Sequence, residues 1–222
     1  MSELKRKAAE KAVEFIDDGM TLGLGTGSTT FFAIEAIGSL VKKGYDLRGV
    51  PTSVASEEQA RKCGIPLVTF DDVDRIDLTI DGADEVDRDL NLIKGMGGAL
   101  LREKIVAYAS KQEIIIVDEG KLVETLGTIS PLPIEVTRFG HALTARNIAS
   151  LGCVPELKGG DKPFITDNGN YVYNCRFPKI ESPHSLDRKL KNIPGVVETG
   201  LFLGLATKAV VAYPDRTAVL KR

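Results

Sequence analysis

Apolar and polar positions along the chain fall into two alternating periods. Leu4, Ala8, Val13, Phe15 and Ile16 recur among charges at helical spacing over 3–18, and Gly19 offers a stop. Residues 20–24 then read as a short strand and Gly23 to Thr30 as a turn rich in glycine and hydroxyls. Phe32, Ile34, Ala36, Ile37, Leu40 and Val41 mark a second amphipathic helix. Strand, glycine turn and helix in this order open a Rossmann-like fold. The order repeats with a strand over 45–51, a helix over 56–63 capped by Ser56, and a strand over 65–70. Ile76, Leu78 and Ile80 alternate with Asp77 and Thr79 as a further strand. A helix over 99–110 leads to residues 113–117, a β-branched run of the kind that parallel sheets bury on both faces.

The pattern changes at Ser130-Pro131-Leu132-Pro133. A strand over 134–136, a helix over 141–151 closed by Gly152 and a strand over 154–157 follow. Residues 164–166 are expected to pair with 171–173 across Asp167-Asn168-Gly169-Asn170, where Asn-Gly signals a hairpin. A helix over 185–191 and a strand over 196–199 complete a βα-ββ-αβ order, that of a split α+β unit. Strands over 208–213 and 218–220 rejoin the main sheet. The expected class is α/β, with a Rossmann-like, mostly parallel sheet carrying helices on both faces, plus a smaller α+β (ferredoxin-like) domain. The first would comprise 1–129 and 206–222, the second 130–205.

Composition narrows the partners. Among 222 residues, 29 Lys and Arg stand against 31 Asp and Glu, a formal charge of -2, so no broad basic surface awaits nucleic acid. A small anion must be held by a few local cations and backbone amides. The apolar runs are too short to span a membrane, and the charged N-terminal stretch MSELKRKAAEKAVEF lacks the apolar core of a signal peptide. A cytoplasmic location is expected. Cys63, Cys153 and Cys175 are far apart, and His141 and His184 are near none of them, so no metal site is expected. Asp87-x-Asp89-x-Asn91 departs from a calcium loop at Leu92 and Gly98. Scarce histidine moves acid–base work onto carboxylates and lysines.

Those groups cluster in the middle of the chain. The strand ending at Ile80 empties into Asp81, Gly82, Ala83, Asp84 and Glu85, where the ligand crevice of an open α/β sheet lies. Lys94-Gly95-Met96-Gly97-Gly98 then precedes a helix, an arrangement suited to anions. On that helix Glu103 shares a face with Ala99, Val106, Ala107 and Ser110. It is either a partly desolvated base or an exposed carboxylate stabilising the first turn. In the loop beginning at Gly23, either frame of G-x-G-x-x-G meets Ser28 or Thr30 at its third glycine, and no Walker lysine follows. Thr26, Gly27, Ser28 and Thr29 therefore suit one phosphate or a sugar oxygen better than a dinucleotide, against a nucleotide-dependent dehydrogenase. Lys121 stands beyond a strand end, as Lys94 does, whereas Lys5, Arg6 and Lys7 read as a solvated face.

In order and spacing, Thr26-Gly27-Ser28-Thr29, Asp81-Gly82-Ala83-Asp84-Glu85, Lys94-Gly95-Met96-Gly97, Leu101-Arg102-Glu103-Lys104 and Lys121 closely resemble ribose-5-phosphate isomerase, type A. The similarity extends through Pro131 to Val136, Thr166 to Asn170 and Ile193 to Val197, essentially the whole chain. Met96 departs from it, standing where the family usually has glycine. The resemblance implies interconversion of ribose 5-phosphate and ribulose 5-phosphate, in the non-oxidative pentose phosphate pathway, without metal or organic cofactor. It implies Glu103 as proton acceptor, Asp81 and Asp84 on the sugar hydroxyls, and Lys94 against developing oxyanion charge. Thr26 to Thr29, Asp81 to Asp84, Lys94 to Gly97 and Lys121 would contact the substrate. A homodimer or homotetramer is implied as well. A non-catalytic sugar-phosphate sensor is the alternative, although no helix-turn-helix segment or basic arm is evident, and Lys94 could instead form a Schiff base.

Overall fold

The computed structural model describes residues 2–222. In chain order the elements are helix α1 (Ser2–Val13), strand β1 (Thr21–Leu24), α2 (Thr30–Lys42), β2 (Arg48–Pro51), α3 (Val54–Cys63), β3 (Ile76–Asp81), β4 (Glu85–Val86), β5 (Leu92–Ile93), α4 (Leu100–Tyr108) and β6 (Ser110–Asp118). After a 3-10 turn at Glu119–Lys121 come β7 (Leu132–Val136), α5 (His141–Ala149), β8 (Val154–Leu157), β9 (Tyr171–Arg176), α6 (Pro183–Lys191), β10 (Val196–Thr199), β11 (Leu201–Phe202), β12 (Lys208–Ala212) and β13 (Thr217–Lys221). Of the described residues, those up to 83 with 102–121 and 204–222 form one compact unit, and 84–101 with 122–203 a second.

The first unit is built on a sheet of order β13-β12-β6-β3-β1-β2. Its pairings are parallel except for β12 with β13. Leu22, Leu24, Leu78, Ile80, Ile114 and Ile116 pack with alanines of α1 and with Ala33, Ile34 and Ile37 of α2. In another cluster Val50 and Ile76 pack with Val106 of α4, so the sheet is covered by helices on both faces, as parallel sheets require. Gly23 permits the closest of these contacts, because a Cβ there would stand 1.9 Å from Thr79 Oγ1 and 2.6 Å from Val106 Cγ1.

Three local expectations change. Residues 65–70 form no strand but a single parallel bridge from Leu67 to Gly49. Pro66 has no N–H to extend a ladder, and its carbonyl accepts from Gly49 at 2.8 Å. Helix α3 starts earlier than expected, with Ser53 as its N-cap and Ser56 as the reciprocal partner of a capping box. The first helix stops at Val13; the N–H groups of Phe15 and Ile16 close turns onto Ala12 and Val13.

The second unit carries an antiparallel sheet of order β10-β7-β9-β8 and a small sheet of order β11-β5-β4. Its chain order β7-α5-β8-β9-α6-β10 is the expected βα-ββ-αβ pattern. Ile134, Val136, Tyr173 and Cys175 pack with Ile148 of α5 and Leu190 of α6. The hairpin, however, joins β8 to β9, not 164–166 to 171–173. Glu135 is fully buried and needs donors; Thr166 Oγ1 and Asn170 Nδ2 each supply one to its Oε1 at 2.9 Å. The Asn-Gly turn forms, with Gly169 at φ +80°, but its first arm serves that carboxylate and does not enter the sheet.

Candidate functional site

In the first unit the site grows from the end of β3. Asp81 is 0% exposed, and its Oδ1 accepts the N–H of Gly82 at 2.7 Å and of Thr26 at 3.2 Å. Two loops beyond neighbouring strand ends are thereby tied to one carboxylate. Thr26 Oγ1 lies 2.7 Å from both Thr52 Oγ1 and Ser53 Oγ, so the hydroxyl turn is braced from the end of β2 as well. Gly27, at φ +134°, lets the chain swing into α2, where Phe31 donates its N–H to the Gly27 carbonyl at 2.9 Å. Thr29 sits at the N-cap without a side-chain bond to its own helix, and Ser28 is exposed.

Lys5 also reaches this loop, its Nζ donating to Ser28 Oγ at 2.7 Å. The sequence reading placed it on a solvated face; in the structure it is half-buried. Lys5 lies on the same stripe of α1 as Ala8, Ala9 and Ala12, which are buried in the packed helix. Lys121, in the 3-10 turn after β6, is half-buried as well. Glu103, in the first turn of α4, is 5% exposed. The neighbouring residues of its stripe, Val106 and Ala107, are buried too, so the carboxylate is not a solvated helix-stabilising charge.

In the second unit Asp84 and the glycine turn come together. Asp84 donates its N–H to the Ile93 carbonyl at 2.8 Å, and its Oδ2 accepts the N–H of Met96 at 3.1 Å. Lys94 is 2% exposed, anchored through its N–H to the Gly200 carbonyl at 2.9 Å, with Nζ 5.3 Å from the Phe202 ring centre. Gly95 and Gly98 take left-handed angles, φ +103° and +91°, and Gly98 closes the turn by donating to the Gly95 carbonyl at 2.8 Å. Met96 has no positive φ, so its backbone is one that any residue adopts. Glu85 is structural: buried, it accepts the N–H groups of Gly127, Ile129 and Ser130 at 2.5 to 2.6 Å.

The first unit has a fixed carboxylate beyond a parallel strand and a hydroxyl loop opening a helix, the second a glycine turn headed by a buried lysine, and each is a feature of α/β proteins that take small anionic ligands. The model of the family ribose 5-phosphate isomerase A (phosphoriboisomerase A) matches residues 48–216. A ribose-5-phosphate isomerase A of Bacillus mycoides is 53% identical over 95% of this chain and 96% of its own. A solved D-ribose-5-phosphate isomerase in complex with phospho-erythronic acid superposes with a TM-score of 0.96 at 42% identity, over 99% of this chain and 98% of that one. Ribose 5-phosphate isomerase A from Methanocaldococcus jannaschii gives 0.94 at 38% identity, over 99% of each. The chain belongs to the ribose 5-phosphate isomerase A family. It is an aldose–ketose isomerase that interconverts ribose 5-phosphate and ribulose 5-phosphate, and the sensor reading finds no support among these relatives.

Proposed function

We propose that the isomerisation runs through an enediolate with Glu103 as the base. The observation that carries this reading is a carboxylate 5% exposed on an otherwise apolar helix stripe. Open-chain ribose 5-phosphate holds an aldehyde at C1 and a proton on C2. Glu103 removes the C2 proton, and the electron pair moves through the new C1–C2 double bond onto O1. A proton passes from O2 to O1, and Glu103 returns its own proton to C1, leaving the ketone at C2. Asp81 and Asp84 hold the sugar hydroxyls and carry the oxygen-bound proton, while Lys94 offsets charge on the enediolate oxygens. Thr26 to Thr29 and Gly95 to Gly97 offer amides and hydroxyls, and Lys5 and Lys121 add positive charge for the phosphate.

Phospho-erythronic acid, the ligand of the solved relative, bears a carboxylate beside a hydroxylated carbon, much as an enediolate bears its charge. The reaction needs no redox partner, so no organic cofactor enters this scheme. Among the described residues no helix is long and apolar enough to cross a membrane. We place the enzyme in the cytoplasm, as a homodimer or homotetramer in the non-oxidative pentose phosphate pathway, acting on a free sugar phosphate and not on nucleic acid. The test is turnover of ribose 5-phosphate with EDTA present, wild type against Glu103→Gln. A fall in kcat of about 10² to 10⁴ with substrate still bound supports the base, and an unchanged kcat removes Glu103 from that role. Borohydride with substrate is expected to leave Lys94 unmodified, whereas trapping there would replace the electrostatic role by a Schiff base.

A further inference from the structure

Lys158, just past β8, carries no motif, yet its side chain turns back onto the glycine turn of its own unit. Its Nζ donates to the Met96 carbonyl and lies 4.5 Å from the centre of the Phe164 ring. Phe164 is fastened in turn, its N–H donating to the Lys158 carbonyl at 2.8 Å. The ring fills the space beside Gly98, where a Cβ would stand 2.3 Å from Phe164 Cε1. On the other side of Met96, its N–H is held by Asp84 Oδ2 at 3.1 Å. Asp84, Met96, Lys158, Phe164 and Gly98 thus form one connected bracket.

Burial depresses the pKa of the Lys158 ammonium, and the charge of Asp84 partly opposes that shift. A half-buried cation therefore sits, at a desolvation cost, on a neutral carbonyl. The carbonyl of Met96 and the N–H of Gly97 belong to one planar trans peptide and point in opposite directions. Holding the first aims the second, and a cation on the oxygen makes the N–H a stronger donor. Gly97 is the exposed residue of this turn.

We propose that Lys158 is a positioning residue of the isomerase, clamping the Met96–Gly97 peptide so that the Gly97 N–H meets a sugar oxygen that gains negative charge as the enediolate forms. This rests on the glycine turn and Asp84 being part of the substrate site. Lys158→Met keeps the stem on Phe164 and removes the charge; Lys158→Arg keeps a cation. A donor aimed at developing charge acts on kcat more than on KM. Lys158→Met is expected to lower kcat on the order of tenfold to a hundredfold, with KM and melting temperature nearly unchanged. Affinity for phospho-erythronic acid should fall in parallel, and Lys158→Arg should recover most of both.

Wild-type kcat in Lys158→Met, or a loss explained wholly by unfolding, overturns the proposal. So does an arginine variant as impaired as the methionine one while equally folded. Asp84→Asn measured alongside separates the two levels. If it is inactive while Lys158→Met is normal, only the clamp fails; if it is fully active, the reading of the turn as substrate site fails too.

Discussion

Gly25 lies so close to Asp81 that a Cβ on it would stand 2.3 Å from Oδ1 and 2.6 Å from the Ile80 carbonyl oxygen. The residue before Thr26 must therefore be glycine if the carboxylate is to keep its bonds to the Thr26 and Gly82 N–H groups. Gly25→Ala is expected to push Asp81 off those donors, at a stability cost of about 1 to 3 kcal/mol and a fall in kcat of about 10². Steady-state kinetics with a thermal melt check this; a variant with wild-type kcat would show that Asp81 can be displaced without consequence.

Lys5 and Lys7 lie on the same helix with different partners. Lys5 reaches Ser28 in the hydroxyl loop, whereas Lys7 pairs with Glu3 at 3.1 Å. Lys5→Met should raise KM for ribose 5-phosphate about tenfold with kcat nearly constant, the signature of binding lost equally from ground and transition states. Lys7→Met should change neither constant. The measured KM ratio of the two variants decides whether the Lys5 contact serves the ligand.

Met96 has an ordinary backbone conformation, so glycine is not required there by φ. Met96→Gly should keep kcat/KM within a few-fold of wild type and lower stability by roughly 0.5 to 1 kcal/mol through the greater freedom of the unfolded chain. Denaturant midpoints and kinetics test both halves. A large gain in activity would mean that the methionine side chain obstructs the turn.

Asp77 links the starts of two strands. Its Oδ2 accepts the Thr21 N–H at 2.9 Å and its Oδ1 the Lys111 ammonium at 2.7 Å. The hydrogen bond from Lys111, followed by that from Thr21, lowers its pKa below 3.8. A carboxylate with a depressed folded-state pKa stabilises fully above its unfolded value, and loses that contribution as pH falls through the folded one. With the side chain 31% exposed, Asp77→Asn should cost only about 1 kcal/mol near pH 7. The stability gap between variant and wild type should close below about pH 3.8. A gap that persists in strong acid would assign the effect to packing.

Strands whose burial is written into their own residues were legible. Ile114, Ile115, Ile116 and Val117 can be hidden only inside a sheet covered on both faces, and Ile76, Leu78 and Ile80 announce β3 by period. Residues 164–166 were misread because turn chemistry is local while the buried acid that recruits Thr166 lies far away in the chain, on β7. The Lys5 contact was missed for a related reason. Its charge suggested solvent, and the alanine stripe beneath it gained meaning only once α1 was packed.

The sequence by itself determined the order of the helices and of the main-sheet strands, the places where strands end in acids, and the helical face on which Glu103 stands. All of these follow from periodicity and from the short-range geometry of the chain. Only the tertiary structure decided that residues 84–101 pack with 122–203, that Glu85 is spent on backbone amides, and that Lys158 reaches Met96. Each joins groups distant along the chain, and such a pairing is set by which buried donors and acceptors must satisfy one another, a condition that no local pattern records.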